Sequence, residues 1–311
     1  MDNSTANPRI AILIPCYNES ATLPRVIHDF KQYFPQSDLY VYDNGSTDNS
    51  VQIALAGGVH VTHVAMRGKG QVVRRMFADI EADIYVMVDG DATYDAASAP
   101  AAIDLLIQQS LDMVVCTRRP NGQYSFRPGH ALGNKLFTRT VNFLFGHQFT
   151  DIFSGYRIFS RRFVKSFPAI SQGFEIEAEI TIHALQLGLP CAEIETPYQE
   201  RPPGSVSKLN TIRDGLRILR TILLLFLYVR PMAFFGVLFI LLAIISLTLG
   251  IPVTINFIHT GLVPRMPTAI LAASLGLLAS LCLACGIILD SVSRSRLETK
   301  RCWYLIAASA R

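Results

Sequence analysis

The chain has 311 residues, half of them hydrophobic, and a formal net charge of +4. Its length suits one large domain with an appendage, and its hydrophobic share is slightly above that of an ordinary soluble chain. A charge of +4 is too mild for a protein built to bind nucleic acid, so no such partner is expected.

The apolar excess is local. Residues 1–205 read as a mixed globular sequence, whereas 216–290 are dominated by Leu, Ile, Ala, Val and Phe. The start, MDNSTANPRI, is polar and carries no secretory pattern, so the globular part is expected to stay in the cytoplasm. Six scattered cysteines are expected as free thiols. Cys282 and Cys285 form a C-x-x-C inside an apolar span without nearby ligands, which reads as small helix residues rather than a metal site.

In chain order, 9–14 (RIAILI) is a strand and 21–34 a helix with Leu23, Val26, Ile27, Phe30 and Phe34 near one face. A strand at 39–42, a helix at 47–56, a strand at 59–64 and a helix at 70–82 follow. Residues 84–88 (IYVMV) form a buried strand ending on Asp89, before a helix at 98–109 and a strand at 112–116. This alternation predicts a doubly wound, mostly parallel α/β sheet, which binds ligands at the carboxyl ends of its strands. Polar clusters stand there: Cys16–Ser20, Asp43–Asp48, Asp89–Asp95 and Thr117–Arg119. Further helices are expected at 131–145 and 174–187.

Residues 206–230 combine Arg213, Arg217 and Arg220 with apolar neighbours, as a helix lying in a membrane interface does. Two spans, about 231–257 and 267–290, the first uncharged and the second uncharged as far as residue 289, are long enough to cross a bilayer as a two-helix hairpin. Small residues around Gly276 would allow the two to pack closely. Basic residues before the first span and after the second place both termini, and a tail at 291–311, on the cytoplasmic side. The expected organisation is a catalytic domain at 1–205, the interfacial helix, the hairpin and the tail, in an integral membrane protein of a bacterial inner membrane or its equivalent.

Asp89-Gly90-Asp91 is the chemical centre. Two carboxylates one residue apart at a strand end can hold Mg2+ or Mn2+ together with the phosphates of a substrate. Asp-x-Asp arises by chance in many chains; its place after a buried strand turns it toward function. In Asp43-Asn44-Gly45-Ser46-Thr47-Asp48, Asp48 suits a helix cap, while Asp43 at the strand end can accept from the N–H of a base. Arg67-Gly68-Lys69-Gly70 suits a phosphate or a loop contact. It is not a dinucleotide fingerprint, because Val73 stands where the third glycine belongs, which disfavours an oxidoreductase.

Together Ile14–Glu19 (IPCYNE), Asp43–Asp48, Gly68–Gly70 and Asp89–Asp91 resemble the family 2 glycosyltransferases of GT-A fold. Thr117–Arg119, Gly133–Asn134, Asp151–Arg157 (DIFSGYR), Phe174–Glu179 (FEIEAE), Arg201–Lys208 and the hairpin are similar to the branch of dolichyl-phosphate mannosyltransferases and GtrB-like polyprenyl-phosphate glycosyltransferases. The resemblance implies a nucleotide-sugar donor, a polyprenyl (undecaprenyl or dolichyl) phosphate acceptor, a divalent metal and a homo-oligomer (tetramer) packed through the hairpins. It implies that Pro15, Tyr17, Glu19, Asp43, Lys69, Gly90, Arg201 and Lys208 bind the nucleotide-sugar, and that Asp89 and Asp91 hold the metal. Arg118, Arg127, His130 and Asn134 would meet the acceptor phosphate, and Asp151 would stand near the reacting centre. A helix cap or a salt bridge to Arg157 is the structural alternative for Asp151. Of Glu175, Glu177 and Glu179, only Glu177 carries a functional expectation. Asn44 replaces a second Asp found in many relatives. Thr93 stands where mannosyl enzymes of the branch often carry Gln, which favours a UDP-sugar over GDP-mannose.

Inverting transfer follows, because a phosphate monoester is already anionic and needs no general base. Two rivals remain: an inert membrane-anchored sugar-nucleotide-binding scaffold, disfavoured by Asp89, Asp91 and Arg118, and a processive polysaccharide synthase. The latter needs more spans and a Gln-x-x-Arg-Trp motif, whereas the only tryptophan, Trp303, follows the second span.

Overall fold

The computed structural model describes residues 8–120, 138–143, 149–173, 175–199, 224 and 227–309. Arg127, His130, Asn134, Arg201 and Lys208 lie outside the described residues. Of the helix expected at 131–145, residues 138–143 are described and helical; of that expected at 206–230, residues 224 and 227–229 are.

The chain forms two compact units, Met1–Leu216 with Lys300–Arg311, and Arg217–Thr299. The first is built on a seven-stranded sheet of order β3-β2-β1-β4-β6-β5-β7. Its strands are β1 (Ile10–Cys16), β2 (Asp38–Asp43), β3 (His60–His63), β4 (Ile84–Met87), β5 (Met113–Pro120), β6 (Arg157–Ser160) and β7 (Cys191–Tyr198). Pairing is parallel between β1, β2, β3 and β4 and between β5 and β7. β6 runs antiparallel to both β4 and β5. The sheet is therefore mostly parallel, as expected, with one reversed strand between its halves.

The helices are α1 (Leu23–Tyr33), α2 (Ser50–Ala56), α3 (Lys69–Asp79), α4 (Ala99–Gln108), α5 (Arg161–Ser166) and α6 (Ile176–Leu187). α1 buries Leu23, Val26, Ile27 and Phe30, the stripe read from the sequence, and α3 buries Val72, Val73, Met76 and Phe77. With helices covering both faces, the central strands are mostly buried, and β4 is fully so. Ser160 caps α5 by accepting from Phe163 N, and Gly188 ends α6 in the left-handed region.

Two long helices follow, α7 (Pro231–Thr260) and α8 (Met266–Ser309). Both are long and apolar enough to cross a membrane, and the apolar window of α7 is 0% buried. They pack through small residues: Ser246 Oγ donates to Ala272 O at 2.8 Å, and Gly276 faces Ser246 Oγ. Cys282 is buried in the protein and, like all six cysteines, is a free thiol. The helix of the second span continues unbroken to Ser309. From Lys300 on it belongs to the first unit, where Tyr304 Oη donates to buried Asp112 at 2.9 Å and Arg162 lies over the Tyr304 ring.

Candidate functional site

The loops after β1 and β2 are sewn together. Asn18 N donates to Ser46 Oγ, and Thr47 N donates back to Asn18 Oδ1 at 2.7 Å. The N-cap of α2 is Asn49 rather than Asp48; Asp48, one residue earlier, accepts from Ser20 N and from Ser50 N and Oγ, and so ties the β1 loop to the first residue of α2. Burial raises the Asp48 carboxyl, but the hydrogen bonds from Ser50 and Ser20 prevail and hold it down at about 2.

Asp43 closes β2 with a buried carboxylate that accepts from Gly45 N, Ser46 N and His63 Nδ1. Burial opposes its ionisation, yet these donors outweigh burial and set it below the usual carboxylate range. Asn44 has a structural task. Its Nδ2 donates to Val64 O and Met66 O, and its Oδ1 accepts from Gly68 N at 2.6 Å. Aspartate could not make those two donations, which accounts for an amide at this position. Arg67 lies 4.8 Å over the ring of half-exposed Tyr17.

At the end of β4, Asp89 and Asp91 are held by different neighbours. Asp91 Oδ1 accepts from Thr93 Oγ1 at 2.6 Å and from Thr93 N, across Ala92 at a left-handed φ of 57°. Strain of that kind persists where surrounding contacts over-determine it, and it concentrates at functional sites. Thr22 Oγ1 donates to Gly90 O at 2.7 Å, joining the β1 loop to this turn, and the Glu19 stem lies beside Gly90.

Lys69, the first residue of α3, places Nζ 2.5 Å from Asp89 Oδ1 and 2.5 Å from Glu177 Oε1. Burial disfavours the ammonium, but Asp89 and Glu177 overcome that and raise Lys69 above its ordinary value. The glycines flanking Lys69 answer to a crossing chain. A Cβ at Gly68 would stand 2.0 Å from Gln172 O, and one at Gly70 2.1 Å from Ser171 O. Of the two sequence options, phosphate or loop contact, the structure displays the loop contact.

Arg118, on β5, meets Asp151 through two parallel bonds of 2.7 Å, from Nε and Nη2. Burial works against both charges. For Asp151 the Arg118 hydrogen bonds and charge prevail and hold the carboxyl low. Arg118 lies 5.6 Å over the Tyr198 ring. The salt bridge considered for Asp151 thus goes to Arg118. Arg157 instead is fully buried and donates to Ser154 O, Ile152 O and Thr181 Oγ1. The loop 151–157 ties the two centres together. Its Gly155 N donates to Tyr94 Oη, and a Cβ at Gly155 would stand 2.3 Å from Asp89 Oδ2. Burial drives the Tyr94 phenol far above its usual range, so it stays protonated.

The structure therefore gathers Glu19, Asp43, Lys69, Asp89, Gly90, Asp91, Arg118 and Asp151 at the carboxyl ends of β1, β2, β4 and β5. Pro15 sits within β1, and Tyr17 lies toward solvent. Sequence reasoning passed over Gly155, Tyr94 and Thr22, and gave Glu177 no partner. No group of three or more His, Cys, Asp or Glu forms a metal cage among the described residues. Two hard carboxylates at one turn still fit Mg2+ or Mn2+ shared with a ligand's phosphates, the usual habit of Mg2+.

Residues 11–167 match Glycosyl transferase family 2. The chain is similar to Glycosyltransferase AglJ of Haloferax volcanii, 36% identical over 212 residues that cover 66% of this chain and 68% of the relative. Dolichyl-phosphate hexose transferase of the same organism is 26% identical over 213 residues, 68% of this chain and 92% of that one. Polyprenol monophosphomannose synthase of Mycolicibacterium smegmatis is 28% identical over 238 residues, 69% of this chain and 88% of that one. Among solved structures, glucosyl-3-phosphoglycerate synthase from Mycobacterium tuberculosis, in complex with Mg2+ and UDP, superposes with a TM-score of 0.58 at 24% identity. That superposition covers 70% of this chain and 79% of the other, and it speaks for the fold.

Proposed function

We propose that this chain, which belongs to glycosyl transferase family 2 and is a glycosyltransferase, moves a sugar from a nucleotide-sugar onto a polyprenyl phosphate at a membrane surface. The observation that carries the proposal is the pairing of two centres at the ends of β4 and β5, on either side of β6, joined by one loop. The carboxylates Asp89 and Asp91 suit a cation and a diphosphate, and Arg118, fixed by Asp151, suits a second phosphate. Relatives named for dolichyl-phosphate and polyprenol chemistry support the acceptor class.

A bound Mg2+ or Mn2+ would neutralise charge on the departing nucleoside diphosphate. Asp89 and Asp91 would hold it, the first also paired with Lys69, the second kept in one rotamer by Thr93. Asp43 would accept from the base and Tyr17 would flank it, with Glu19 lining the pocket. Arg118 would orient the acceptor phosphate, whose oxygen attacks the anomeric carbon directly and inverts it. Asp151 keeps Arg118 in a fixed fork and takes no proton: a carboxyl held below its ordinary value is a poor base. Thr93, standing where mannosyl enzymes of the branch often carry Gln, favours a UDP-sugar over GDP-mannose.

A polyprenyl tail leaves the bilayer at a cost of about 0.8 kcal/mol per CH2, so the enzyme must come to the lipid. The two apolar helices α7 and α8 suit that need, with the catalytic unit and both termini on the cytoplasmic side. The test uses membranes of cells expressing the full chain, a panel of radiolabelled UDP- and GDP-sugars, and undecaprenyl phosphate, with and without EDTA. A chloroform-soluble labelled product, lost with EDTA and in Asp91→Asn, is expected. A folded protein that yields no lipid-linked product from any donor overturns the acceptor assignment.

A further inference from the structure

Glu177 stands near the start of α6 with a side chain only 5% exposed, and one of its oxygens, Oε2, has no hydrogen-bond partner among the described residues. An unsatisfied buried acceptor is costly, the more so when charged. A glutamate kept there at that cost calls for a reason beyond packing α6.

Its one ion-pair partner among the described residues is Lys69, which it shares with Asp89 at equal distance. The backbone is built to make that meeting possible. Gly68 and Gly70 let residues 171–173, which lead into α6, cross so closely that side chains at either position would strike carbonyl oxygens. Gly70 N donates to Gln172 O, and Glu179 accepts from Ile170 N and Ser171 N, pinning the crossing from the α6 side. Behind Glu177, Thr181 lies one turn along α6 and accepts from the buried guanidinium of Arg157. That guanidinium makes no ion pair with a carboxylate among the described residues.

We propose that Glu177 is a positioning residue of the donor site, acting through Lys69. By holding the ammonium at a shared point, it keeps Lys69 from neutralising Asp89, so the turn bearing Asp89 and Asp91 stays negative enough to take a divalent cation with a nucleoside diphosphate. This inference rests on the proposed metal-assisted donor site and adds to it a residue that does not itself touch donor or metal.

The charge argument makes a prediction that a packing role does not. Removing the Glu177 charge alone makes this corner one unit more positive. Removing the Lys69 charge as well restores the balance. The experiment measures Mn2+ binding to the purified full-length protein, by the loss of the free Mn2+ paramagnetic resonance signal, with saturating UDP and separately GDP. It compares wild type, Glu177→Gln and the double variant Lys69→Met/Glu177→Gln, with thermal unfolding as the check on folding. Glu177→Gln is expected to weaken Mn2+ binding about tenfold, and the double variant to return to within about threefold of wild type. The double variant leaves no unmatched buried charge at Lys69 and tests the idea even if the single variant unfolds. Wild-type affinity in Glu177→Gln, or a double variant that binds no better than the single one, overturns the inference and leaves the donor site intact. A wild type that binds no Mn2+ with either nucleotide overturns the metal-assisted donor site and this inference with it.

Discussion

Two charged centres stand at the ends of β4 and β5, on either side of β6, and are built on opposite plans. At Arg118 and Asp151, a forked cation meets a forked anion, oxygen for nitrogen, in a locally neutral pair. At Lys69, one ammonium serves two carboxylates, and Glu177 Oε2 remains without a partner among the described residues. The neutral pair fixes a shape and can offer its guanidinium to a phosphate without changing the charge of its surroundings. The unequal cluster carries surplus negative charge and becomes favourable when a cation arrives. An enzyme joining two anionic substrates needs both kinds of centre, which is why the contrast is informative about function.

The largest effect should come from breaking the unequal centre at its tightest contact. Gly155→Ala brings a methyl group against Asp89 Oδ2, at 2.3 Å before any relaxation, so the carboxylate must move. Transfer is expected to fall at least about 100-fold, with little change in far-ultraviolet circular dichroism, because displacing a positioned group by about 1 Å costs that much. Asp91→Asn, which removes a charge from the same turn, is the reference for losing the cation site. Near-normal turnover in Gly155→Ala would show that Asp89 need not sit where it does.

Breaking the neutral pair should register in stability. Asp151→Asn leaves the Arg118 charge without its counter-charge at a site where the two side chains are 15% and 10% exposed. A loss of about 3 kcal/mol is expected in denaturant unfolding of the full chain, the lower end of what a severed buried pair costs because both groups keep some water. If Asp151→Asn is as stable as wild type, the pair is not the closed unit its geometry describes. Asn44→Asp is a milder test of the loop that delivers Lys69. It removes two donations, to Val64 and Met66, and should cost about 1–3 kcal/mol while raising the KM for the donor. An unchanged KM would detach that loop from donor binding.

The contrast also separates what the sequence discloses from what it hides. β1 and β4 were legible because burial on both faces leaves unbroken apolar runs, IAILI and IYVMV. β6 (RIFS) was not, since it is four residues long and opens on an arginine that the fold buries completely. β7 (CAEIETPY) is an edge strand with exposed glutamate and ends in Pro-Tyr, so its pattern is weak. In the site, Asp43, Asp89, Asp91 and Arg118 announce themselves by lying just after or at the end of strands. Gly155 and Tyr94 do not, because their roles are contacts with residues about 60 positions away. Gly68 and Gly70 were visible as glycines, but the crossing chain that requires them lies about a hundred residues downstream.

The smallest effect concerns a buried group without a charge partner, and it tests the rule behind the comparison. α6 carries Glu177 near its start and His183 almost two turns later. His183 is 1% exposed, packs edge-on against Phe163 and Phe167, and has no hydrogen-bond partner at either ring nitrogen among the described residues. Burial, reinforced by the Lys300 charge, lowers it from 6.5 to about 3, so it folds as the neutral ring. The unfolded chain binds that proton below pH 6.5 while the folded chain refuses it until about pH 3. The stability owed to the neutral ring is therefore complete above pH 6.5 and is lost progressively as pH falls from 6.5 toward 3. His183→Phe keeps a ring in place and removes the titration. Near pH 7.5 the two proteins should differ little, and at pH 5 the variant should have gained about 2 kcal/mol relative to wild type. Unfolding midpoints that stay parallel between pH 7.5 and 5 would mean that His183 is protonated in place. A cation could then sit in this part of the core without a carboxylate, and the unequal sharing at Lys69 would need another explanation.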